Sequence, residues 1–287
     1  MKPKFMQLLA TVILLLASSW AQAAITCTAP SSSGFSTAYA PTGVVPNVTQ
    51  GSVSFTCTRG LAGDATSVLL RSRNDGLNKT LVQNRARLGA TANYISYEAY
   101  KNSGCSAVWT SLVTADFITV TLLSVLTPQP ITVNYWGCIT LAGQAVPAGD
   151  YTDTVTMRIR NNTDTANLSG SNTFPVTITN PASCTVTSIQ NVAFGTYVAF
   201  RSTPLAAPAA DIVLNCTAQL PYTLALDATS GVVAGLNYSL VLSANSSRGT
   251  GPGQTHTITG TMPANQAGTC SSGSCSASQS HTLTITY

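Results

Sequence analysis

The arrangement of cysteines constrains this chain more than any other feature. They stand at Cys27, Cys57, Cys105, Cys138, Cys184, Cys216, Cys270 and Cys275 and fall into two imperfect copies of one pattern. Copy one has Cys27, then Phe35-Ser36-Thr37-Ala38-Tyr39, then Val53-Ser54-Phe55-Thr56-Cys57-Thr58. Copy two has Cys184, then Phe194-Gly195-Thr196-Tyr197, then Ile212-Val213-Leu214-Asn215-Cys216-Thr217. The cysteine steps are 30 and 32 residues. In each copy the second cysteine lies on an alternating apolar segment, the pattern of a half-buried strand. Cys27–Cys57 and Cys184–Cys216 are therefore the economical pairings, each contributing about 3–4 kcal/mol by loop entropy. Cys105–Cys138 and Cys270–Cys275 remain, one pair per copy. A zinc site needs clustered ligands, and only Cys270 and Cys275 are close, so no metal or other cofactor is expected.

The copies continue beyond the cysteines. Tyr94-Ile95-Ser96-Tyr97-Glu98-Ala99-Tyr100 matches Tyr238-Ser239-Leu240-Val241-Leu242 in character, and Thr154-Val155-Thr156-Met157-Arg158-Ile159 matches His281-Thr282-Leu283-Thr284-Ile285-Thr286-Tyr287. Charged residues are only 8% of the chain, too few for salt-bridged helices or coiled coils, while Thr, at 42 residues, favours strands with one wet face. No long stretch carries a 3.6-residue apolar period. Short alternating runs broken by Gly, Pro, Asn and Ser clusters predict an all-β fold of two tandem antiparallel β-sandwiches. A formal charge of +4 excludes the dense basic face of a nucleic-acid binder, and two histidines leave little material for histidine-based catalysis.

Residues 1–23 read as a secretory signal peptide: Lys2 and Lys4 at the start, an apolar run from Leu8 to Ala17, and Ala21-Gln22-Ala23 before the cleavage point. Export agrees with an even number of cysteines paired as disulfides.

Cys184 followed by Phe194-Gly195-Thr196-Tyr197, the Ile-x-Leu-x-Cys-Thr strand, Pro221-Tyr222-Thr223-Leu224-Ala225-Leu226 and Met262-Pro263-Ala264-Asn265-Gln266 together resemble the spore coat protein U domain family, which includes pilins of archaic chaperone–usher fimbriae. In copy one, Gly149-Asp150-Tyr151-Thr152-Asp153-Thr154-Val155 resembles the family's lead into its last strand. Copy two departs from that segment, with Gly273-Ser274-Cys275-Ser276 in its place. Copy one departs by an expanded middle, Lys101 to Cys138. The resemblance implies incomplete immunoglobulin-like domains, each completed by a strand donated from outside, and partners in a periplasmic pilus chaperone, an outer-membrane usher and an adjacent pilin subunit. It places the mature protein in a fimbria on the cell surface.

The donors can be counted. Cleavage after Ala23 leaves only Ala24, Ile25 and Thr26 ahead of Cys27, about 10 Å of extended chain, where a donor of about ten residues spans roughly 33 Å. The mature N-terminus is thus not expected to donate. Residues 161–183 contain Asn172-Thr173-Phe174-Pro175-Val176-Thr177-Ile178-Thr179, with Phe174, Val176 and Ile178 on one strand face. These three are expected to complete copy one (24–160) from within the chain. Copy two (184–287) has no strand after Tyr287 to complete itself and is expected to accept one from another protein. A subunit that accepts but does not donate belongs at the tip of a fibre, where it would be an adhesin. A non-adhesive shaft or coat subunit and a lectin-like glycan-binding module are the alternatives.

Within copy one, Trp109, Phe117, Ile118, Leu122, Leu123, Tyr135 and Trp136 are candidates for an apolar surface that adheres to host or abiotic material, set against the plainer expectation that the run 117–126 is core strand. Arg59, Arg71, Arg73, Lys79, Arg85, Arg87 and Lys101 give a basic bias that fits a solvated strand face. Asp150 and Asp153 fit a turn entering a strand better than a glycosidase carboxylate pair. There is no Gly-x-Ser-x-Gly elbow and no phosphate loop, so no enzymatic activity is expected.

Overall fold

A computed structural model describes residues 24–40, 46–73, 78–80, 83–111, 117–271 and 273–287. The expected signal peptide, 1–23, lies outside them. All regular structure among the described residues is β-strand, in two immunoglobulin-like sandwiches that follow one another along the chain.

Unit one is built from β1 (Thr26–Cys27), β2 (Phe35–Ala38), β3 (Asn47–Thr58), β4 (Ser67–Arg73), β5 (Asn84–Leu88), β6 (Tyr94–Tyr100), β7 (Thr110–Ser111), β8 (Phe117–Thr121), β9 (Gln129–Ile139), β10 (Gly149–Asn161) and β11 (Asn172–Asn180). Unit two has β12 (Cys184–Ile189), β13 (Leu205–Ala206), β14 (Ala210–Cys216), β15 (Pro221–Leu226), β16 (Ser230–Val233), β17 (Leu236–Leu242), β18 (Ser246–Arg248), β19 (Gly251–Met262) and β20 (Leu283–Thr286).

The sequence repeat is also a repeat of strand pairing. One face of unit one runs β1-β3-β9-β6-β5, and one face of unit two runs β12-β14-β19-β17-β16. On the other faces, β8-β4-β10 matches β18-β15-β20. Each unit uses these strands in the same chain order. Cys27 stands opposite Cys57 in the β1–β3 register and Cys184 opposite Cys216 in the β12–β14 register, and both pairs are bridged. Cys105–Cys138 and Cys270–Cys275 are bridged as well.

Alternation explains the strands. In β3, Val53, Phe55 and Cys57 point inward and are buried while Ser54 is exposed. A second device recurs in both units. Phe35 lies over Gly137 of β9, where a Cβ would come within 2.5 Å of its ring, and Phe194 lies over Gly260 of β19, where the gap would be 2.6 Å. Each phenylalanine also meets a tyrosine of the neighbouring strand, Phe35 with Tyr97 at 5.6 Å and Phe194 with Tyr238 at 5.8 Å between ring centres. Glycine is required at both positions because the ring occupies the volume of its missing side chain.

The units differ beyond the shared strands. Unit one continues from β10 to β11 and β2. β11 pairs antiparallel with β10 from Gly149↔Asn180 to Met157↔Asn172, and parallel with β2 from Val176↔Phe35 to Thr179↔Ala38. Within residues 161–183, the segment expected to complete copy one, Asn172–Asn180 is the strand that lies between β10 and β2. β10 runs to Asn161 and β11 ends at Asn180, so unit one extends to that residue, because β11 is hydrogen-bonded on both edges within its sheet.

Three of the seven candidates for an adhesive surface lie in the core. Trp109, Leu122 and Tyr135 are buried. The Trp109 indole N–H donates to the Leu70 carbonyl at 3.1 Å, and its ring packs against Tyr135 and Phe174, so the site is filled from three strands.

Candidate functional site

In unit one β11 seals the sheet. Phe174, Val176 and Ile178 point inward and are fully buried, with Phe174 5.3 Å from Tyr135 and stacked on Trp109 at 6.1 Å. Under this cover the inward side chains of β10, namely Tyr151, Val155, Met157 and Ile159, are all inaccessible. Burial pushes the Tyr151 phenol up to about 12. The Tyr97 hydroxyl donates to the Asp153 carboxylate at 2.7 Å, and burial, then the Asp153 charge, hold the Tyr97 phenol well above its ordinary value.

The same place in unit two is open. Among the described residues β20 pairs with β15 alone, from Thr223↔Thr286 to Leu226↔Leu283. Residues 194–197, the counterpart of β2, form no strand. The inward residues of β20, Leu283 and Ile285, are only half-buried, as are Val192, Phe194 and Tyr197 across the gap. Val198 and Phe200 beside them are 66% and 70% exposed. A seam with an unpaired strand edge and an incompletely covered apolar floor is the arrangement to which an extended segment adds as a further strand.

Where Tyr97 meets Asp153 in unit one, the Tyr238 hydroxyl bonds Nε2 of His281, whose Nδ1 meets the Asp227 carboxylate at 2.7 Å. The hydrogen bond from His281 holds the Asp227 carboxyl below its usual range, and burial raises the Tyr238 phenol. Tyr197 ties the far side: its hydroxyl donates to the Pro263 carbonyl at 2.7 Å and accepts from the Gln266 N–H at 3.1 Å. Polar groups thus fix both banks, and the floor between them is apolar.

The remaining expected residues fall as follows. Phe117, Ile118 and Trp136 are half-buried on β8 and β9, whereas Leu123 is 80% exposed. Two further leucines on the loops around it are exposed: Leu126 (74%), at the end of the run 117–126, and Leu61 (51%), which the sequence did not single out. The loops carrying them are held together by Arg59, which is buried and not part of a surface bias. Its guanidinium donates to the carbonyls of Leu122, Ala62 and Asp64, and its own carbonyl accepts from the Leu126 N–H. Arg71 is ion-paired with Asp164, and Arg85 and Arg87 lie over the Tyr94 ring. Side chains at 73 and 112–116 lie outside the described residues. Asp150 accepts from the Thr179 hydroxyl and Asp153 from Tyr97, so both are strand residues tied into the sheet. Among the described residues no group of three or more His, Cys, Asp or Glu could hold a metal, and no helix is long and apolar enough to cross a membrane.

Comparison with known proteins gives one extensive match. The model of the Spore Coat Protein U domain fits residues 11–158 and again 171–284. No curated protein matches the chain. Among solved structures, a chain of the CsuC–CsuE chaperone–tip adhesion subunit pre-assembly complex, from the archaic chaperone–usher Csu pili of Acinetobacter baumannii, is similar at a TM-score of 0.46 and 14% identity, over 90% of this chain and 100% of that one. The CupB6 tip adhesin from Pseudomonas aeruginosa is similar at 0.34 and 11%, over 91% and 94%. At those scores neither likeness carries an argument.

Proposed function

The chain belongs to the Spore Coat Protein U domain family, and from that premise we propose that it is an exported, non-enzymatic subunit of a chaperone–usher surface fimbria that accepts a donated strand in unit two and presents unit one outward, as the adhesin at the fibre tip. The observation that carries this reading is the difference between two copies of one strand framework: the seam is filled by β11 in unit one and open beside β20 in unit two. A periplasmic chaperone would occupy the open seam first, and the neighbouring subunit would replace it at the outer-membrane usher.

The position of the exposed leucines supports an outward role. β10 starts at Gly149, beside Asn180 and the passage into unit two, and ends at Asn161, beside Val68. Ser67 in turn pairs with Thr121. The loops bearing Leu61, Leu123 and Leu126 therefore lie at the end of unit one away from that passage. Three apolar side chains on two loops braced by one buried arginine form a surface suited to non-specific contact with apolar material.

Immunogold labelling of fimbriae with an antibody against unit one tests the position: label confined to filament ends agrees, and label along the whole length makes this a shaft or coat subunit. Replacing Leu61, Leu123 and Leu126 by serine tests the surface. Loss of retention on a hydrophobic support with unchanged thermal unfolding agrees. Unchanged retention, or binding to a defined sugar on a glycan array, moves the activity elsewhere on unit one.

A further inference from the structure

The outer face of the sheet β8-β4-β10 carries a charge imbalance. Leu70 and Ser72 of β4 and Met157 and Ile159 of β10 are buried on the inner face, so Arg71, Arg158 and Arg160 project from the outer one. Arg71 stands directly opposite Arg158 in the β4–β10 register, where like charges destabilise a strand pair. Asp164, in the left-handed region at φ 57°, places its carboxylate between two of the three arginines. Its Oδ2 is 2.6 Å from Nη1 of Arg71, and its Oδ1 is 2.6 Å from Nε of Arg160. Nη2 of Arg160 also donates to the Asp164 carbonyl, and Nη1 to the Asn167 side chain, so that guanidinium is fully engaged. Arg158 has no such partner. It is half-buried, its Nε is closed off from solvent, and its guanidinium makes no hydrogen bond or ion pair among the described residues. From this geometry we propose that Arg71 and Arg158 form a binding site for a tetrahedral oxyanion of the phosphate type.

Charge and shape select the ligand. Three guanidiniums against one carboxylate leave two positive charges in excess. A phosphate group carries about −1.5 to −2 near pH 7 and neutralises them. Two planar forks on neighbouring strands can each bond oxygens of one tetrahedral anion, whereas a carboxylate has only two oxygens to share. The other described carboxylates of unit one are engaged elsewhere: Asp64 accepts from the Leu61 N–H, Glu98 from Asn84, Asp150 from Thr179 and Asp153 from Tyr97. In unit two the matching strands set Thr223 opposite Thr286 and Ala225 opposite Thr284. The shared strand framework therefore does not call for an arginine pair. The site lies toward the same end of unit one as the exposed leucines, since β10 ends at Asn161 beside Val68. It takes a different chemistry from them and does not rest on where the subunit sits in a fibre.

The test titrates the full chain with inorganic phosphate by calorimetry and measures its retention on phosphocellulose, which displays the ester on a surface. Arg158→Gln should weaken binding at least about tenfold, the loss of a charge-assisted hydrogen bond. Arg85→Gln, an arginine on the β5–β6 hairpin, should leave it nearly unchanged. Because Arg158 holds nothing in the fold, Arg158→Gln should not lower the thermal midpoint of unit one in phosphate-free buffer. Added phosphate should raise that midpoint in the wild type and not in the variant. Binding of the free ion that depends on Arg158 supports a site for phosphate itself. Retention on phosphocellulose that depends on Arg158, without binding of the free ion, supports a site for a phosphate ester. Absence of both, an equal loss in Arg85→Gln, or a lower midpoint in Arg158→Gln overturns the proposal.

Discussion

Units one and two share a strand order, a disulfide at the same register and a phenylalanine seated on a glycine, yet the same strand is sealed in one and half-bare in the other. Tyr151, Val155, Met157 and Ile159 of β10 are inaccessible, while Leu283 and Ile285 of β20 are half-buried. Both strands alternate apolar and polar residues, so the difference lies in the neighbour: β10 has β11 on its outer edge and, among the described residues, β20 has none. A strand's own pattern decides which face turns inward. Whether that face is dry depends on the next strand in the sheet.

Deleting Asn172–Asn180 gives the largest expected effect. Loss of one buried Phe and two buried β-branched residues costs about 3–5 kcal/mol for the first and about 2–5 for each of the others, comparable to the whole stability of a domain. Unit one should lose its cooperative thermal transition while that of unit two persists. If unit one keeps its midpoint, β11 is not its closing strand.

Paired substitutions sharpen the comparison. Phe35→Ala should destabilise unit one by about 3–5 kcal/mol. Phe194→Ala, at the same place but half-buried, should destabilise unit two by about half as much, read from denaturant unfolding of each unit. Equal costs would mean the seam of unit two is closed. The glycines beneath give a smaller contrast. Gly137→Ala forces its Cβ into a ring locked by β11 and should cost about 1–3 kcal/mol. Gly260→Ala meets a ring beside an open seam that can move aside, and should cost less.

The smallest effect is on pH. Both histidines lie in unit two. His256 is buried against Tyr222, whose hydroxyl meets Nε2 at 2.6 Å, and burial lowers the imidazole pKa below its usual value. With a depressed folded pKa the unfolded chain binds more protons, so this contribution is fully present above about pH 6.5 and is lost as pH falls toward the folded value. The midpoint of unit two should therefore fall between pH 7 and pH 5, and His256→Gln should flatten that slope. Unit one, without histidine, should show no such change over that interval. A matching fall in both units would assign the effect elsewhere.

Much of this could be read before the fold was known, and the reason is local. Cysteine spacing placed the four pairs, and two-residue alternation put Phe174, Val176 and Ile178 on one face. The matched runs around Tyr97 and Tyr238, and around Met157 and Ile285, occupy equivalent places in their sheets. What could not be read depends on distant partners. Trp109 and Tyr135 lie far apart within an expanded segment bounded by Cys105 and Cys138 that looks like a surface elaboration; in the fold their rings meet at 5.0 Å and Phe174, from a distant strand, packs against both. Leu61 looks like an ordinary loop apolar until Arg59 brings its loop to the one bearing Leu123 and Leu126. Which strands β11 lies between could not be read either, because pairing, unlike alternation, is not written along one segment.

Residue-resolved hydrogen exchange on the isolated protein tests the central contrast most directly. The account predicts that backbone amides of Tyr151 to Ile159 are protected throughout, while in Leu283 to Thr286 only those facing β15 are slow and the alternate amides exchange nearly as fast as unstructured chain. Uniform protection along β20 in the absence of any partner would contradict it, because the seam would then already be closed.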